Sequence, residues 1–337
     1  MTLNITRRRL VAGTVATGAF GLISRRADAA EYSLKFANNL PLSHPLNIRA
    51  AEAVKRIREE SGGQLEVNVF PNSQLGGDTE VLSQVRSGAT EIFSISGLIL
   101  STLVPVSSIY GLGFAFQDYP TAWRAMDGNL GNHLRDAVSK FGLHAFEKNW
   151  DNGFRHFFSG AKPINTPQDL NGFKIRVPIS PMWTSVFKAF GSSPTGINWS
   201  ETYSALQTKI VDGLENSLAN VEASKIYEVT KYCALVSYMW DNFFIVVNGR
   251  VWSGLPPKLR EILERNFNQA GLAERTDVEK LNVSLQGTLE SKGMVFNRPD
   301  PLPFKATLRK AGFYTEWKAR FDPKAWQLLE SYTGTLA

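Results

Sequence analysis

The first residue with a candidate chemical role is an arginine in the middle of a short strand-like segment, "FKIRVP" at 173–178. Phe173, Ile175 and Val177 alternate with Lys174 and Arg176, the period of two expected of a strand with one buried face. Both basic residues could simply face water, as such residues usually do. Alternatively, Arg176 points into a cleft and binds an anion. These six residues alone leave both interpretations open.

The sequence contains none of the common catalytic motifs considered below, so it gives little support to the hypothesis that the protein is an enzyme. None of the four histidines (His44, His133, His144 and His156) forms a His-x-x-x-His pair or lies beside the single cysteine. No Gly-x-Ser-x-Gly segment occurs, and "GLGFAF" lacks the third glycine of a dinucleotide-binding loop. Cys233 is expected to be a packed, unreactive thiol. A secreted enzyme acting on an acidic substrate stays open, but no motif favours it.

The first 29 residues have the three-part order of an export signal. Arginines at 7–9 precede a weakly apolar stretch at 10–23, and Ala-Asp-Ala at 27–29 supplies the small residues of a cleavage site. The stretch is too short to span a bilayer comfortably. "TRRRLV" is similar to a twin-arginine signal, which implies export of a folded protein. We therefore predict removal of residues 1–29 and a periplasmic location.

Removal of this signal changes the charge of the chain. The net charge of +6 includes five arginines and one aspartate from residues 1–29, so the mature chain has 32 basic and 30 acidic residues, a net charge of +2. The basicity is therefore no argument for nucleic-acid binding. The mature length suffices for two lobes with proper cores, and a single cysteine excludes an intramolecular disulfide.

The elements that would position a site begin with an alternation of strands and helices. Strands are predicted at "EYSLKFAN", "QLEVNVFP" and "TEIFSIS", with helices at "HPLNIRAAEAVKRIREESGG" and "GGDTEVLSQVRSG", the second N-capped by Asp78. This order is typical of a parallel sheet with crossover helices. Ligands lie beyond the carboxyl ends of such strands, where Asn38, Asn39, Ser94 and Ser96 offer hydrogen bonds.

A similar pattern recurs later in the chain. "LHAFEKNW", "FKIRVP" and "NFFIVVN" are predicted strands, and helices are predicted at "PMWTSVFKAFG" and from Ser200. The pattern indicates two similar α/β lobes with crossings near Asn152 and Asp241. A breaker-poor segment at 257–287 predicts a helix of roughly 45 Å, which would brace both lobes if it ran across them.

Several segments in order resemble a known family. They are "SQLGGDTEVLSQVRSGATEI", "NGFRHFFSGAKPINTPQDLNGFKIRVP", "FKAFGSSPT", "ETYSALQTKIVDGLEN" and "NVEASKIYEVTKY". Together they resemble the extracytoplasmic solute-binding proteins of tripartite ATP-independent periplasmic (TRAP) transporters, named for their C4-dicarboxylate-binding (DctP) members. The resemblance covers essentially the whole mature chain.

The resemblance implies an α/β, two-lobe periplasmic binding protein fold with a cleft between the lobes and a long helix spanning both. Approximate boundaries follow from it and from the predicted crossings. Lobe I is expected to comprise 30–152 plus 242–281, and lobe II to comprise 153–241 plus 282–337.

The resemblance also implies a ligand carboxylate held by the "RVP" arginine, here Arg176. Asn216 matches a second-lobe ligand contact, with a turn asparagine as the alternative. Arg155 matches a second arginine that contacts ligand in some members, or it pairs structurally with an acid. Glu80 and Asn39 fall where first-lobe contacts occur.

The chain departs from the family pattern at two positions near the cleft. Gly196 replaces the second proline of "PTP", and Ser217 replaces the proline of "ENP". These departures put the backbone around Asn216 in doubt, but not the arginine.

Aromatic residues give the ligand prediction. Trp183, Trp240 and Phe243 follow cleft-forming segments, where they form either walls for a ring or ordinary core. A ring-bearing or hydroxylated monocarboxylate, such as a sugar acid or an aromatic acid, ranks above a C4-dicarboxylate or keto acid. A dicarboxylate would need a second cation and less apolar wall.

The predicted function is capture of an organic acid by hinge closure, with delivery to the membrane subunits of a TRAP transporter. The resemblance implies that uptake draws on ion gradients used by the membrane partner. No catalytic residue, metal or cofactor is expected, and the protein is expected to be a monomer. A sensor partner in place of a transporter stays an alternative.

Overall fold

The computed structural model of the protein describes residues 30–337, so the predicted export signal lies outside the described residues. Ten strands are described: β1 Tyr32–Ala37, β2 Leu65–Phe70, β3 Ile92–Ser96, β4 Leu143–Ala145, β5 Trp150–Ser159, β6 Lys174–Val177, β7 Ser193–Gly196, β8 Gly213–Asn216, β9 Tyr232–Asn248 and β10 Val295–Asn297.

Thirteen α-helices accompany these strands in the described part of the chain. They are α1 Pro45–Glu60, α2 Asp78–Ser87, α3 Gly97–Leu100, α4 Tyr119–Met126, α5 Asn129–Ser139, α6 Pro181–Ala189, α7 Trp199–Gln207, α8 Leu218–Ala223, α9 Gly249–Gly254, α10 Pro257–Ser291, α11 Pro301–Lys310, α12 Phe313–Arg320 and α13 Pro323–Thr333. Single-turn 3₁₀ segments lie at 167–170 and 226–228, and a longer one lies at 105–111.

The strands form one mixed sheet, not the purely parallel sheet that the alternation predicts. Its order is β2-β1-β3-β9-β5-β8-β6-β7, with β4 and β10 also paired to β9. Within each half the neighbours β1–β2, β1–β3, β6–β7 and β6–β8 are parallel. The long strands β5 and β9 run antiparallel to each other and join the two halves.

These two crossing strands were only partly predicted. The predicted strand "LHAFEKNW" contains the three-residue β4 and the start of β5, and "NFFIVVN" is only the last part of the 17-residue β9. Nearly every residue of β9 is buried, so it lacks the alternation that marks a half-exposed strand. The pairing of β5 with β9 shifts register between Asp151 and Gly153 and again between Arg155 and Phe157.

The hydrophobic cores lie on both faces of this sheet. In the β1 half, Leu34 and Phe36 pack with α1 and with Phe267 of α10. In the β8 half, Leu214 packs with Leu285 and with α8. The same helix, α10, therefore contributes to the core of both halves.

Helix α10 confirms the predicted long helix and extends it to Ser291. Its 35 residues span about 52 Å. Asp277 accepts from Nε of Arg49 on α1 at 2.6 Å, and Lys292, just past its end, pairs with Glu222 of α8 at 2.9 Å. The helix thus ties both halves together. The numerical lobe boundaries stay a prediction.

None of the described helices is long and apolar enough to cross a membrane.

Candidate ligand-binding site

Arg176 lies near the carboxyl end of β6 and is 1% exposed, whereas Lys174 on the same strand is exposed. The interpretation that both residues face water is therefore wrong for Arg176. Its Nε and Nη2 both donate to the carbonyl oxygen of Ile197, at 2.9 and 2.6 Å. The guanidinium carbon lies 5.3 Å from the centre of the Trp199 ring. These contacts fix the guanidinium plane and leave Nη1 without a hydrogen bond among the described residues.

The charge of Arg176 has no direct counter-charge. No described carboxylate lies within 4 Å of its nitrogens, although Glu215 and Asp78 lie near enough to act on it. Burial lowers the pKa of Arg176 to about 10, with Arg155 adding to the effect and the two carboxylates opposing it. A buried guanidinium bound only to a carbonyl is suited to a bidentate carboxylate ligand.

The positive charge of Arg155 on β5, in contrast, is neutralised by neighbouring carboxylates. Its Nε and Nη2 donate to the two carboxylate oxygens of Glu215 at 2.5 and 2.7 Å, and its Nη1 lies 3.5 Å from Oδ2 of Asp241. Tyr238 donates a further hydrogen bond to Glu215 at 2.6 Å. Burial alone would lower the pKa of Arg155, but these carboxylates outweigh it and the pKa is raised. The structure therefore contains the structural ion pair that the sequence analysis kept as the alternative.

Asn216 ends β8 and belongs to a chain of buried amides. Its Oδ1 accepts from the backbone of Ser217 at 2.8 Å and from Nδ2 of Asn220 at 2.9 Å. The same Asn220 amide donates to Asn152 at 2.6 Å, and Asn152 donates to Asp241 at 2.7 Å. The Nδ2 group of Asn216 has no protein acceptor among the described residues, so it can donate to a ligand. Replacement of the family proline by Ser217 thus leaves Asn216 at the site.

The β1 half of the sheet forms the opposite wall. Asn39 donates from Nδ2 to Oδ1 of Asp78 at 2.8 Å, and Ser96 lies beside them. Burial raises the pKa of Asp78, opposed by Arg176, Asn39 and the backbone N–H of Trp199. Glu80, predicted as a contact, is exposed and is not brought to this wall. The reason is that α2 begins at Asp78, with Gly77 as its N-cap, and this start turns Asp78 inward.

Two predicted tryptophans differ in position. Trp183 lines the site, lies 4.9 Å from the Arg155 guanidinium carbon, and donates from Nε1 to Tyr238 at 3.0 Å. Trp240 does not line it: the ring packs at 4.8 Å from Trp123 in the core. Phe243 lines the site as expected.

The residues named above enclose a small cavity between the two halves of the sheet. Its volume is about 30 Å³, close to that of one water molecule. An organic acid can therefore enter only when the walls move apart. The lining residues are Asn39, Leu40, Asp78, Ser96, Ile99, Asn152, Arg155, Arg176, Pro178, Trp183, Trp199, Asn216, Asn220 and Phe243.

Sequence reasoning missed Asp78, Trp199, Asn152 and Asn220 as site residues. Trp199 opens α7, and Asn220 lies in α8, four residues after the end of β8 at Asn216. The four-residue spacing was no signal for this pair, because Asn216 ends a strand and only Asn220 lies on the helix that follows.

A larger depression of about 890 Å³ runs along α6 and α12. It contains neither arginine of the site nor Asn216. The smaller cavity is the candidate ligand site because, unlike this depression, it combines an uncompensated buried cation with amide donors.

The arrangement suits the binding of a solute. Within residues 30–337, no group of three or more His, Cys, Asp or Glu side chains could hold a metal ion. The cavity offers one cation for a carboxylate, amides and a carboxylate for hydroxyl groups, and aromatic faces for a ring. These are the properties of a solute-binding cleft.

The fold and this cleft define a two-lobe periplasmic binding protein, with the cleft between the lobes and α10 across both. The chain belongs to family 7 of the bacterial extracellular solute-binding proteins, whose model (DctP) matches residues 36–312. It is therefore a solute-binding protein for transport and not an enzyme. The resemblance to the TRAP solute-binding proteins is confirmed.

Curated relatives agree with this family. An uncharacterized protein of Sinorhizobium fredii is 33% identical over 244 residues, 72% of this chain and 45% of that protein. The 2,3-diketo-L-gulonate-binding periplasmic protein of Escherichia coli is 29% identical over 81% of this chain and 80% of its own length. The C4-dicarboxylate-binding periplasmic protein of Rhodobacter capsulatus is 31% identical with the same coverage. Relatives of this kind support a periplasmic location.

Solved structures agree as well. A TRAP solute-binding protein of Sulfurospirillum deleyianum with bound succinate has a TM-score of 0.83 and 30% identity, covering 90% of this chain and 99% of that one. A TRAP solute-binding protein of Roseobacter denitrificans with bound β-D-glucuronate has a TM-score of 0.85 and 26% identity, with the same coverage.

Proposed function

We propose that this protein captures a ring-bearing or hydroxylated monocarboxylate, a sugar acid or an aromatic acid, and delivers it to TRAP membrane subunits. The carboxylate binds Arg176 and Asn216 when the lobes close. The observation that carries this proposal is the burial of Arg176 without any described carboxylate within 4 Å. The twin-arginine route and a monomeric state belong to the same proposal.

Charge across the cavity supports one ligand carboxylate over two. Arg155 is neutralised by Glu215 and Asp241, so Arg176 is the one uncompensated cation among the described lining residues. A second carboxylate would have to lie near Asp78 on the other wall. Two like charges about 6 Å apart repel by roughly 3 kcal/mol at an effective dielectric constant of about 20.

The composition of the walls supports hydroxyl or ring groups on the ligand. Asn39, Asp78 and Ser96 can bond hydroxyl groups, whereas Trp183 and Phe243 present apolar faces. A relative named for 2,3-diketo-L-gulonate binding and a similar structure that holds β-D-glucuronate are consistent with this class.

A C4-dicarboxylate is the second candidate, because two of the relatives above bear that specificity or hold succinate. It requires Asp78 to be protonated or Arg155 to leave Glu215. The burial that raises the pKa of Asp78 makes the first route the easier of the two.

Thermal unfolding of the purified protein tests the proposal against sugar acids, aromatic acids, keto acids and C4-dicarboxylates, each paired with its neutral amide. A ligand at about 100 times its Kd stabilises the folded state by about 2.7 kcal/mol, or roughly 5 °C in Tm. We expect this shift from monocarboxylates and not from their amides.

Arg176→Ala and Lys174→Ala form a matched pair of variants, since each removes one cation from β6. Loss of a buried charge partner costs about 2–5 kcal/mol, so Arg176→Ala should weaken binding at least about 30-fold. Lys174→Ala should bind as the parent does. Equal binding by both variants would refute the arginine contact, and larger shifts from dicarboxylates would favour the second candidate.

A further inference from the structure

Two residues from opposite halves of the sheet, Gly77 and Asn198, meet beside the ligand cavity. Gly77 is the N-cap of α2, which follows β2, and Asn198 lies between β7 and α7. Because β2 and β7 are at opposite ends of the strand order, no strand pairing joins these segments. A Cβ atom built on Gly77 would nevertheless lie 2.8 Å from Cγ and 2.9 Å from Nδ2 of Asn198. We call this meeting of Gly77 and Asn198 the cross-cleft contact.

The residue that follows each partner lines the ligand cavity. Asp78 follows Gly77 on one wall, and Trp199 follows Asn198 on the other. The backbone N–H of Trp199 acts on the Asp78 carboxylate from across the cavity. Since the cavity holds only about 30 Å³, an organic acid can enter only when these two walls move apart. The cross-cleft contact therefore opens with the walls and forms again when the lobes close.

The backbone conformation of Gly77 does not require glycine. Its φ of −70° and ψ of 164° lie in the extended region that any residue adopts, whereas the neighbouring Gly76 has a φ of +123°. Capping of α2 does not require glycine either, because serine, aspartate or asparagine would cap the helix at least as well. What glycine supplies at position 77 is the absence of a side chain, which lets Asn198 approach the backbone.

The side chain of Asn198 has no capping role in its own helix. Asn198 is the N-cap of α7, yet its side chain makes no capping hydrogen bond there. Its Oδ1 atom is buried and has no hydrogen-bond partner among the described residues. The amide therefore lies enclosed against Gly77, with little room to turn away from an added Cβ. A methyl group forced into such a contact is unfavourable unless the two walls separate.

The same short segment also supports the candidate ligand cation. Ile197, the residue before Asn198, accepts both hydrogen bonds of the Arg176 guanidinium through its carbonyl oxygen. Trp199, the residue after Asn198, places its ring 5.3 Å from the guanidinium carbon. Residues 197–199 thus hold Arg176 on one side and meet Gly77 on the other. A displacement of this segment by a side chain at position 77 would act on both.

We propose that Gly77 and Asn198 form the contact at which the two lobes meet on closure, and that the missing side chain of Gly77 allows closure to complete. This role rests on the proposed function, since closure is the step that holds the ligand. Asn198 is a positioning residue, because it acts through Gly77 and the neighbouring Arg176 and does not line the cavity itself. A side chain at position 77 keeps the walls apart and speeds release of the ligand.

A designed disulfide tests the cross-cleft contact without any ligand. The Cβ atoms at positions 77 and 198 lie at most about 4.3 Å apart, because the built Cβ is 2.8 Å from Cγ of Asn198, and a disulfide spans this distance. Mild oxidation of Gly77→Cys/Asn198→Cys should therefore give an intramolecular disulfide, detected by mass spectrometry. The native Cys233 is buried and does not compete. Gly254→Cys/Asn198→Cys is the matched control, since no atom lies within 4 Å of the Cβ position of Gly254.

Single substitutions test the consequence for binding, with glucuronate or the acid of the thermal panel that shifts Tm most as the probe. Gly77→Ser adds a Cβ at the contact and keeps a good N-cap for α2, so it should weaken binding about tenfold without loss of Tm in the free protein. Gly254→Ser adds the same side chain in open space and should bind as the parent does. Gly77→Ser/Asn198→Ala removes the opposing amide and should restore affinity to within about threefold.

The two experiments separate this proposal from the proposed function. Absence of the disulfide would overturn the cross-cleft contact, whichever acid binds. Equal affinities of Gly77→Ser and Gly254→Ser, or a double variant that binds no better than Gly77→Ser, would overturn its role in closure. If no acid of the panel binds but the disulfide forms, the proposed function fails and the cross-cleft contact stands.

Discussion

Replacing Glu215 by glutamine tests the division of labour between the two arginines of the site. Glu215 is wholly buried and accepts from Nε and Nη2 of Arg155 at 2.5 and 2.7 Å and from Tyr238 at 2.6 Å. Glutamine keeps the shape but removes the charge. The only carboxylate then within 4 Å of Arg155 among the described residues is Asp241, at 3.5 Å.

The expected cost is large because the pair is buried. Breaking a buried ion pair by removing one partner costs about 3–5 kcal/mol. Glutamine retains some of the hydrogen bonds, so we expect about 3 kcal/mol, or a fall of roughly 6 °C in Tm. The matched control is Glu316→Gln, which breaks an exposed pair with Arg320 at 2.6 Å. That change should cost about 0.5 kcal/mol or less.

Urea unfolding of the two variants measures this difference, and calorimetric titration measures its consequence for binding. Once freed from Glu215, Arg155 becomes a second cation at the cavity, so dicarboxylates should gain affinity relative to monocarboxylates. A Glu215→Gln variant as stable as Glu316→Gln, with unchanged selectivity, would refute the view that Arg155 is held for structure and that Arg176 alone is free.

Three further substitutions test ligand specificity at Asp78, core packing at Trp240 and the bend in β5 at Gly153. Asp78→Asn should raise dicarboxylate affinity roughly 100-fold, because it removes a repulsion of about 3 kcal/mol between Asp78 and the second ligand carboxylate. Calorimetry measures this change, and unchanged dicarboxylate affinity would contradict this role of Asp78. Trp240→Phe should lower the free energy of unfolding in urea by about 2 kcal/mol, because Trp240 lies in the core. Ligand affinity should stay nearly unchanged. A large loss of affinity would show that Trp240 contacts the ligand. Gly153→Ala should lower Tm, since its φ is +85° and its added Cβ would lie 2.9 Å from that of Ser217; an unchanged Tm would show that this bend is not required.

Local sequence patterns predicted many of the helices and strands. Helix α10 was predictable because its segment lacks breakers, and β6 because Phe173 and Ile175 alternate with polar neighbours. Strand β9 was not, because both of its faces are buried and its residues are apolar almost without interruption. The mixed sheet could not be foreseen either, since strand direction depends on which segments pair across long sequence distances.

The site was predictable where a motif carried it. Arg176 and Asn216 were predicted from the segments "FKIRVP" and "VDGLEN", which carry the family resemblance. The structure brings both residues to one cavity with Asn39. The choice of Glu80 over Asp78 depended on the first turn of α2, where a shift of one or two residues reverses which side chain faces inward. Trp240 is flanked by the same kinds of residues as Trp183. Only tertiary packing therefore distinguishes Trp240, which lies in the core, from Trp183, which lines the cavity.

A crystal structure of the complex with the acid that gives the largest thermal shift tests the central claim most directly. The account predicts carboxylate oxygens about 2.7–2.9 Å from Nη1 of Arg176, with Asn216 donating to the same group and Arg155 still bound to Glu215. A ligand carboxylate bound to Arg155 in place of Glu215, or an acid bound in the depression between α6 and α12, would contradict it.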